Sequence, residues 1–302
     1  MLTMSSLPDF LHFLNKPEYV FRPRNIFRRL MLAARSDGPY ICHTSFGIPL
    51  TVAANDTIGH AIAKTGVYEL AVAEALWRLL SHEDTAVDVG ANIGFMTALM
   101  AKRVGSGGRV FSFEPSEYVL PLLRTNVVAC GELTGAAIVL VEAAVADEEG
   151  GGMLLMPVGW DDNHGLAFLA RGPAADGQVS QSIATCRLDA VLRDVDRVRV
   201  MKVDVEGGEL EVLRGCGSLL SSRRIDNVLY EDHYPQPSPV TLLLRSYGYE
   251  TMRLDKGFYG PVVREAVSDS RLDRYSAPTF VASVDGSETR SLLAKSGWRV
   301  LK

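Results

Sequence analysis

Apolar residues along this chain fall into short continuous bursts joined by stretches of helical spacing. Five bursts stand out: Thr85–Val89 (TAVDV), Arg109–Phe113 (RVFSF), Ala137–Val141 (AIVLV), Val198–Val203 (VRVMKV) and Asn227–Tyr230 (NVLY). Between the first and second, Met96, Leu99 and Met100 recur with helical spacing. Val119, Leu122, Leu123 and Val127 do so between the second and third, and Val72, Leu76, Leu79 and Leu80 mark a helix before the first. A strand that is apolar on both faces needs cover on both, and helical crossovers supply it. The pattern therefore predicts a mostly parallel sheet with helices on both sides. Such sheets bind ligands beyond the carboxyl ends of their strands, so the residues that follow each burst are where chemistry is sought. Before Val67 the pattern differs: helical spacing comes first, then two extended pieces, PYICHT and IPLTVA, around the turn Ser45–Phe46–Gly47. Residues 1–66 are read as an accessory segment and 67–302 as the main domain.

The first burst runs into VDVGANIGFMT, where Gly90 and Gly94 flank Ala91, Asn92 and Ile93. Glycines there let the backbone turn tightly and approach a ligand, although many strand-to-helix turns contain them for steric reasons alone. The stretch lacks both the G-x-G-x-x-G of a dinucleotide site and the Gly-Lys-Ser/Thr of a phosphate loop. The second burst ends on Glu114. A strand-end acid there can accept hydrogen bonds from a ribose diol, or simply be solvated. Taken together, turn and acid describe a nucleoside ligand. The fourth burst opens KVDVEGGELEVL, with Asp204, Glu206 and Glu209 within six residues. An unpaired carboxylate in apolar surroundings is costly, so Asp204 needs a partner, and Lys202 is a candidate. Glu206 and Glu209 suit either a site or the first turn of a helix, where acids complement the dipole. After the fifth burst come Glu231, Asp232 and His233. The histidine reads either as a general base or as a surface residue.

The segments DVGANIG and FEP, followed by the pair TCRLDAVL and MKVDVEGGELEVLRG, resemble the FkbM family of S-adenosylmethionine-dependent methyltransferases. VEAAVAD and DNHGLA sit in matching order, and the resemblance spans about residues 67 to 255; Val203 stands where the family usually has Ile. The resemblance implies a Rossmann-like α/β fold: a seven-stranded mostly parallel sheet, helices on both faces, and a small N-terminal helical and β extension. It implies S-adenosyl-L-methionine as cofactor, held by Asp88, Gly90, Ala91, Asn92, Gly94, Phe95, Thr97, Glu114, Pro115, Ala144 and Asp204. The catalytic candidates are Asp204, Glu206, Glu231 and His233. Asp204 holds either the methionine amino group or the acceptor hydroxyl, and a carboxylate or His233 takes the proton. The metal-free route is preferred to Mg²⁺ on Asp204 with Glu231 or Asp232.

Charge and composition narrow the partners. With a net charge of -5 over 302 residues and no long basic run, the footprint of a nucleic-acid binder is missing. The longest apolar runs fall far short of the ~20 residues needed to cross a bilayer, and the N-terminus does not read as a secretory signal. Cys42, Cys130, Cys186 and Cys216 are scattered, which suits reduced thiols in a cytoplasmic protein. The stretch Phe21–Arg35 interleaves five arginines with apolar residues. It reads as a surface helix with snorkelling arginines, or as a peripheral dock for anionic lipid or glycan. The long connection from Gly150 to Gln181 reads as a lid or substrate wall, with Trp160, Asn163 and His164 as acceptor contacts, or as a plain hairpin. The expected activity is O-methylation of a hydroxyl on a sugar of a surface glycan or glycolipid, or on a related small molecule. A secondary-metabolite O-methyltransferase and a silent nucleoside-binding module are the alternatives.

Overall fold

The computed structural model describes residues 16–31, 38–53, 56–156, 167–170, 179–266 and 278–302. Its strands are, in order, β1 (Tyr40–His43), β2 (Pro49–Val52), β3 (Thr85–Val89), β4 (Arg109–Phe113), β5 (Ala137–Val141), β6 (Ala144–Val145) and β7 (Gly150–Leu155). They continue with β8 (Phe168–Ala170), β9 (Ser180–Cys186), β10 (Val198–Val203), β11 (Ile225–Glu231), β12 (Glu250–Lys256), β13 (Pro261–Glu265) and β14 (Thr279–Ser283). The central sheet has eight strands in the order β13-β12-β14-β11-β10-β3-β4-β5. From β11 to β5 all neighbours are parallel, and from β13 to β11 all are antiparallel.

All five apolar bursts are the parallel strands, four of them with the expected bounds and β11 longer at both ends. Their side chains divide with period two between two cores. Ala86, Val110, Val200 and Leu229 enter one. Val87, Val89, Phe111, Phe113, Met201, Val203, Val228 and Tyr230 enter the other. The sheet has one strand more than expected. The edge strand β13 buries Pro261 and exposes or half-exposes the rest of PVVRE, so it lacks the continuous apolar signature of a central strand.

The hairpin β1–β2 and the helix Thr57–Thr65 pack into the first core, where Leu50, Val52 and Ile62 join Leu76 and Leu99. Asp56 caps that helix by accepting the Gly59 N–H at 2.6 Å. Asn126, on the helix Leu120–Thr134, clasps the hairpin by accepting from Thr51 N at 2.7 Å and donating to Thr51 O at 2.9 Å. From the arginine-rich stretch, the helix Arg24–Met31 is described; residues 32–35 lie outside the described residues. No helix among the described residues is long and apolar enough to cross a membrane.

The long connection after β5 does not extend the central sheet. It builds a second one, ordered β6-β9-β7-β8, around Ala144, Leu154, Met156 and Ile183. Trp160, Asn163 and His164 lie outside the described residues.

Candidate active site

The carboxyl ends of β3, β4 and β10 meet at one rim. Asp204 N donates to Val89 O at 3.1 Å, while Gly90 N and Ala91 N both donate to Phe113 O, at 3.1 and 3.0 Å. Gly90 has φ 78°, and a Cβ there would stand 1.8 Å from the carbonyl oxygen of Asp204. No other residue fits so close an approach between β3 and β10. Asn92, at φ 51°, donates its backbone N–H to Glu114 Oε2 at 2.8 Å, and Ser116 N donates to Oε1 at 2.9 Å. Two backbone donors thus fix the Glu114 carboxylate. Burial nevertheless pushes its carboxyl up to about 7, against the pull of those two hydrogen bonds.

A cavity opens over this rim. Its lining includes the expected Gly90, Ala91, Asn92, Phe95, Glu114, Pro115, Ala144, Asp204, Glu206 and Glu231. Three expected cofactor residues are not in the lining. Gly94 points its missing Cβ at Leu123 Cδ1, 2.8 Å away. Thr97 and Asp88 are buried beneath the rim: Thr97 Oγ1 donates to Asp88 Oδ2 at 2.6 Å, and Asp88 Oδ1 is buried without a partner. The register sets Asp88 beside Lys202 on the neighbouring strand. The second sheet supplies a wall through Ala144, Leu154 and Leu169, so the long connection does shape the cavity.

At one end of the cavity the acids gather. Lys202 Nζ lies 2.9 Å from Asp204 Oδ2. Burial alone would lower the Lys202 pKa, but Asp204, Asp88 and Glu69 outweigh it and hold the ammonium charged. Glu69, Asp204 and Glu231 each bring a carboxylate oxygen within 4.8 Å of the others. Burial, and then the Asp204 charge, push both Glu69 and Glu231 well above the usual carboxylate range. One ammonium among so many carboxylates leaves room for a proton shared between Glu69 and Glu231. The spacing would also suit a hard cation, yet the Lys202 ammonium already stands against Asp204.

Tyr68 and Glu69 were not anticipated from the sequence. Glu69 precedes the helix Leu70–Leu79, where an acid reads as an ordinary cap. Instead it adopts φ 45° and ψ 65° and makes no capping hydrogen bond, and its Oε2 is buried without a partner. A non-glycine residue held left-handed and turned away from its own helix was the missing signal, and only the backbone carries it. Glu206 stands exposed at the lip with φ 52°. Glu209 accepts the Gly207 N–H at 3.1 Å and lies outside the lining, which favours the turn role over the site role. His233 is exposed and lies outside the lining. Asp232 N donates to Pro278 O, and the Asp232 carboxylate is taken up by Tyr234 N, Gln236 and Ser238. The chain turns away there, so β11 brings Glu231 to the cavity and His233 to solvent.

The sequence matches the Methyltransferase FkbM domain over residues 88–251. The chain belongs to the FkbM methyltransferase family. The match begins at Asp88 and closes at Thr251 in β12, so it holds Glu114, Asp204 and Glu231 but not Glu69. The methyltransferase sdnD of Sordaria araneosa is 27% identical over 215 residues, covering 62% of this chain and 81% of that one. The hexuronic acid methyltransferase AglP of Haloferax volcanii is 29% identical over 173 residues, covering 54% of this chain and 62% of its own length. Among solved structures, Aeropyrum pernix fibrillarin in complex with S-adenosyl-L-methionine overlaps with TM-score 0.38 at 17% identity, covering 82% of this chain and 84% of that one.

This FkbM domain makes the protein an S-adenosylmethionine-dependent methyltransferase. The groups on the rim suit that cofactor. The Glu114 oxygens, each holding one backbone N–H, keep lone pairs for a hydroxyl pair, and the acid cluster complements a cation.

Proposed function

We propose that this enzyme O-methylates a hydroxyl of a sugar. The observation that carries the reading is the Glu69–Asp204–Glu231 cluster opening into the same cavity as Gly90 and Glu114. When bound, S-adenosylmethionine supplies a methyl group already activated on a sulfonium. Gly90, Ala91, Asn92 and Phe95 would line its site, Glu114 would receive the ribose hydroxyls, and Pro115 and Ala144 would flank it. Asp204, anchored by Lys202, orients the acceptor hydroxyl by accepting its hydrogen bond. Glu231, beside Glu69, then takes the proton as the acceptor oxygen becomes nucleophilic. Several carboxylate oxygens around one space suit an acceptor with neighbouring hydroxyls. AglP, named for hexuronic acid, supports a sugar acceptor. The acid cluster favours a reacting sugar unit that is itself neutral, because a further carboxylate would be repelled.

The test pairs calorimetry with S-adenosylmethionine and transfer of labelled methyl to neutral, amino and uronic sugars. Asp204→Asn is expected to lose at least about a hundredfold in turnover while keeping its fold. Full turnover by Asp204→Asn removes the assignment, and cofactor binding without turnover on any hydroxyl leaves a nucleoside-binding module instead.

A further inference from the structure

The arginine-rich stretch singled out in the sequence has a second property in three dimensions: among the described residues, no carboxylate is paired with Arg22, Arg24 or Arg28. Arg22 and Arg28 both reach the end of the helix Thr57–Thr65. Arg28 Nη1 lies 2.8 Å and Arg22 Nη1 3.4 Å from the point where a Gly66 side chain would begin. Arg22 Nη1 is buried and has no hydrogen-bond partner. Burial, then the Arg28 charge, then the Arg24 charge push Arg22 below its ordinary pKa, so its charged neighbours are cations. Arg24 is exposed beside them.

The scaffold that holds these side chains is built from neutral groups. Asn25, fully buried, donates to Glu18 O at 2.9 Å and Thr65 O at 2.7 Å, and Arg28 Nη2 donates to His43 O at 2.6 Å. The helix end could by itself attract a cation, since its dipole amounts to roughly half a charge. Three of the carbonyls there already take neutral donors: Gly66 N on Ile62 O, Asn25 on Thr65 O, and Ser45 N on Gly66 O. A fraction of one charge does not offset two guanidinium groups held side by side, one with an idle donor. Planar guanidinium donors in that arrangement match phosphate oxygens.

The place also fits the acceptor. Gly66 is three residues from Glu69, at most about 11 Å of chain. Tyr68, between them in sequence, packs edge-on against Phe95 with 6.4 Å between centroids, and both rings line the cavity.

We propose that Arg22 and Arg28, with Arg24 at the edge, form a phosphate-binding site next to the acceptor end of the cavity, which recognises a phosphate or pyrophosphate carried by the acceptor sugar. The reacting sugar unit then sits among the carboxylates and the anionic group among the arginines. This rests on the sugar reading above for its acceptor, but the anion site itself is tested without methyl transfer.

The experiment titrates the full chain with inorganic pyrophosphate by calorimetry, alongside Arg22→Gln and, as control, Arg109→Gln. Arg109 is exposed at the amino-terminal end of β4, opposite the rim. Arg22 Nη1 holds no partner, so its loss leaves the native hydrogen bonds of that nitrogen unchanged. Saturable binding of pyrophosphate, weakened about tenfold or more by Arg22→Gln and unaffected by Arg109→Gln, is expected. No binding at millimolar pyrophosphate, or equal binding by wild type and Arg22→Gln, overturns the site. A second arm sediments the protein with phosphatidylcholine vesicles with and without phosphatidic acid. Arg22-dependent retention on the phosphatidic acid vesicles identifies a lipid-borne phosphate; pyrophosphate binding without retention identifies a soluble one. S-adenosylmethionine affinity should be equal in wild type and Arg22→Gln. If no sugar is methylated yet pyrophosphate binding depends on Arg22, the acceptor reading fails while the anion site stands.

Discussion

Glu114 shows how little of a side chain's behaviour is written in its own type. Its carboxylate is gripped by two backbone N–H groups, which favour the charged form, yet burial wins and pushes it from 4.5 to about 7. A folded value above the unfolded one means that folding favours the protonated acid. The stability this provides is complete below about pH 4.5 and is lost as pH rises through about 7, a change of about 3 kcal/mol. Thermal melting of the free protein between about pH 5 and about pH 8 should therefore slope downward, and Glu114→Gln should flatten the slope by that amount. An unchanged slope in the variant would contradict this account of the buried acid. Gly90, Glu114 and Asp204 were legible in the sequence because each answers a local demand: a turn with positive φ, a strand end, a strand end. Glu69 was not, because next to a helix start an acid has an ordinary local explanation, and its left-handed backbone leaves no mark on the composition.

At the scale of elements, the five parallel strands were legible because burial on both faces requires a continuous apolar run. The edge strand β13 and the small sheet β6-β9-β7-β8 carry no such run. β7 begins with three glycines and β9 reads SQSIATC, largely exposed or half-exposed. The attachment of the C-terminal segment was equally invisible. Glu74 and Arg78, one turn apart on the helix Leu70–Leu79, are buried and paired at 2.6 Å. Arg78 also donates to the carbonyls of Leu293, Lys295 and Gly297, and Glu74 accepts Val300 N at 2.9 Å. Arg78→Ala strips the partner from a buried carboxylate and frees several carbonyls. It should cost about 3–5 kcal/mol in chemical denaturation, whereas an exposed pair such as Arg124–Glu142 should cost under about 1 kcal/mol. Equal losses at both pairs would refute the pinning role of Arg78.

At the scale of the molecule, the acid cluster is made by elements far apart in the chain: Glu69 before the first parallel strand, Asp204 after β10, Glu231 at the end of β11. Their mutual repulsion gives the cluster a signature in pH. A carboxylate acts as base in its ionised form, and burial and like charges raise the value at which Glu231 ionises. Methyl transfer should thus rise with pH into the alkaline range. Glu69→Gln removes one of the charges that raise Glu231, so the rising limb of kcat/KM should move to lower pH by about one unit. A profile that stays in place would show that Glu69 does not act on the base.

The sequence by itself determined the parallel α/β architecture, the family, the glycine turn and the strand-end acids, because period, turn chemistry and strand termini are local properties of the chain. Only the tertiary structure decided which acids share a space. Glu69 entered the cluster, Glu209 turned back on its own loop, and His233 went to solvent beyond Asp232. The register that sets Lys202 beside Asp88 and Val203 beside Tyr230, together with the second sheet that walls the cavity, arises from contacts between distant segments, for which no local pattern exists.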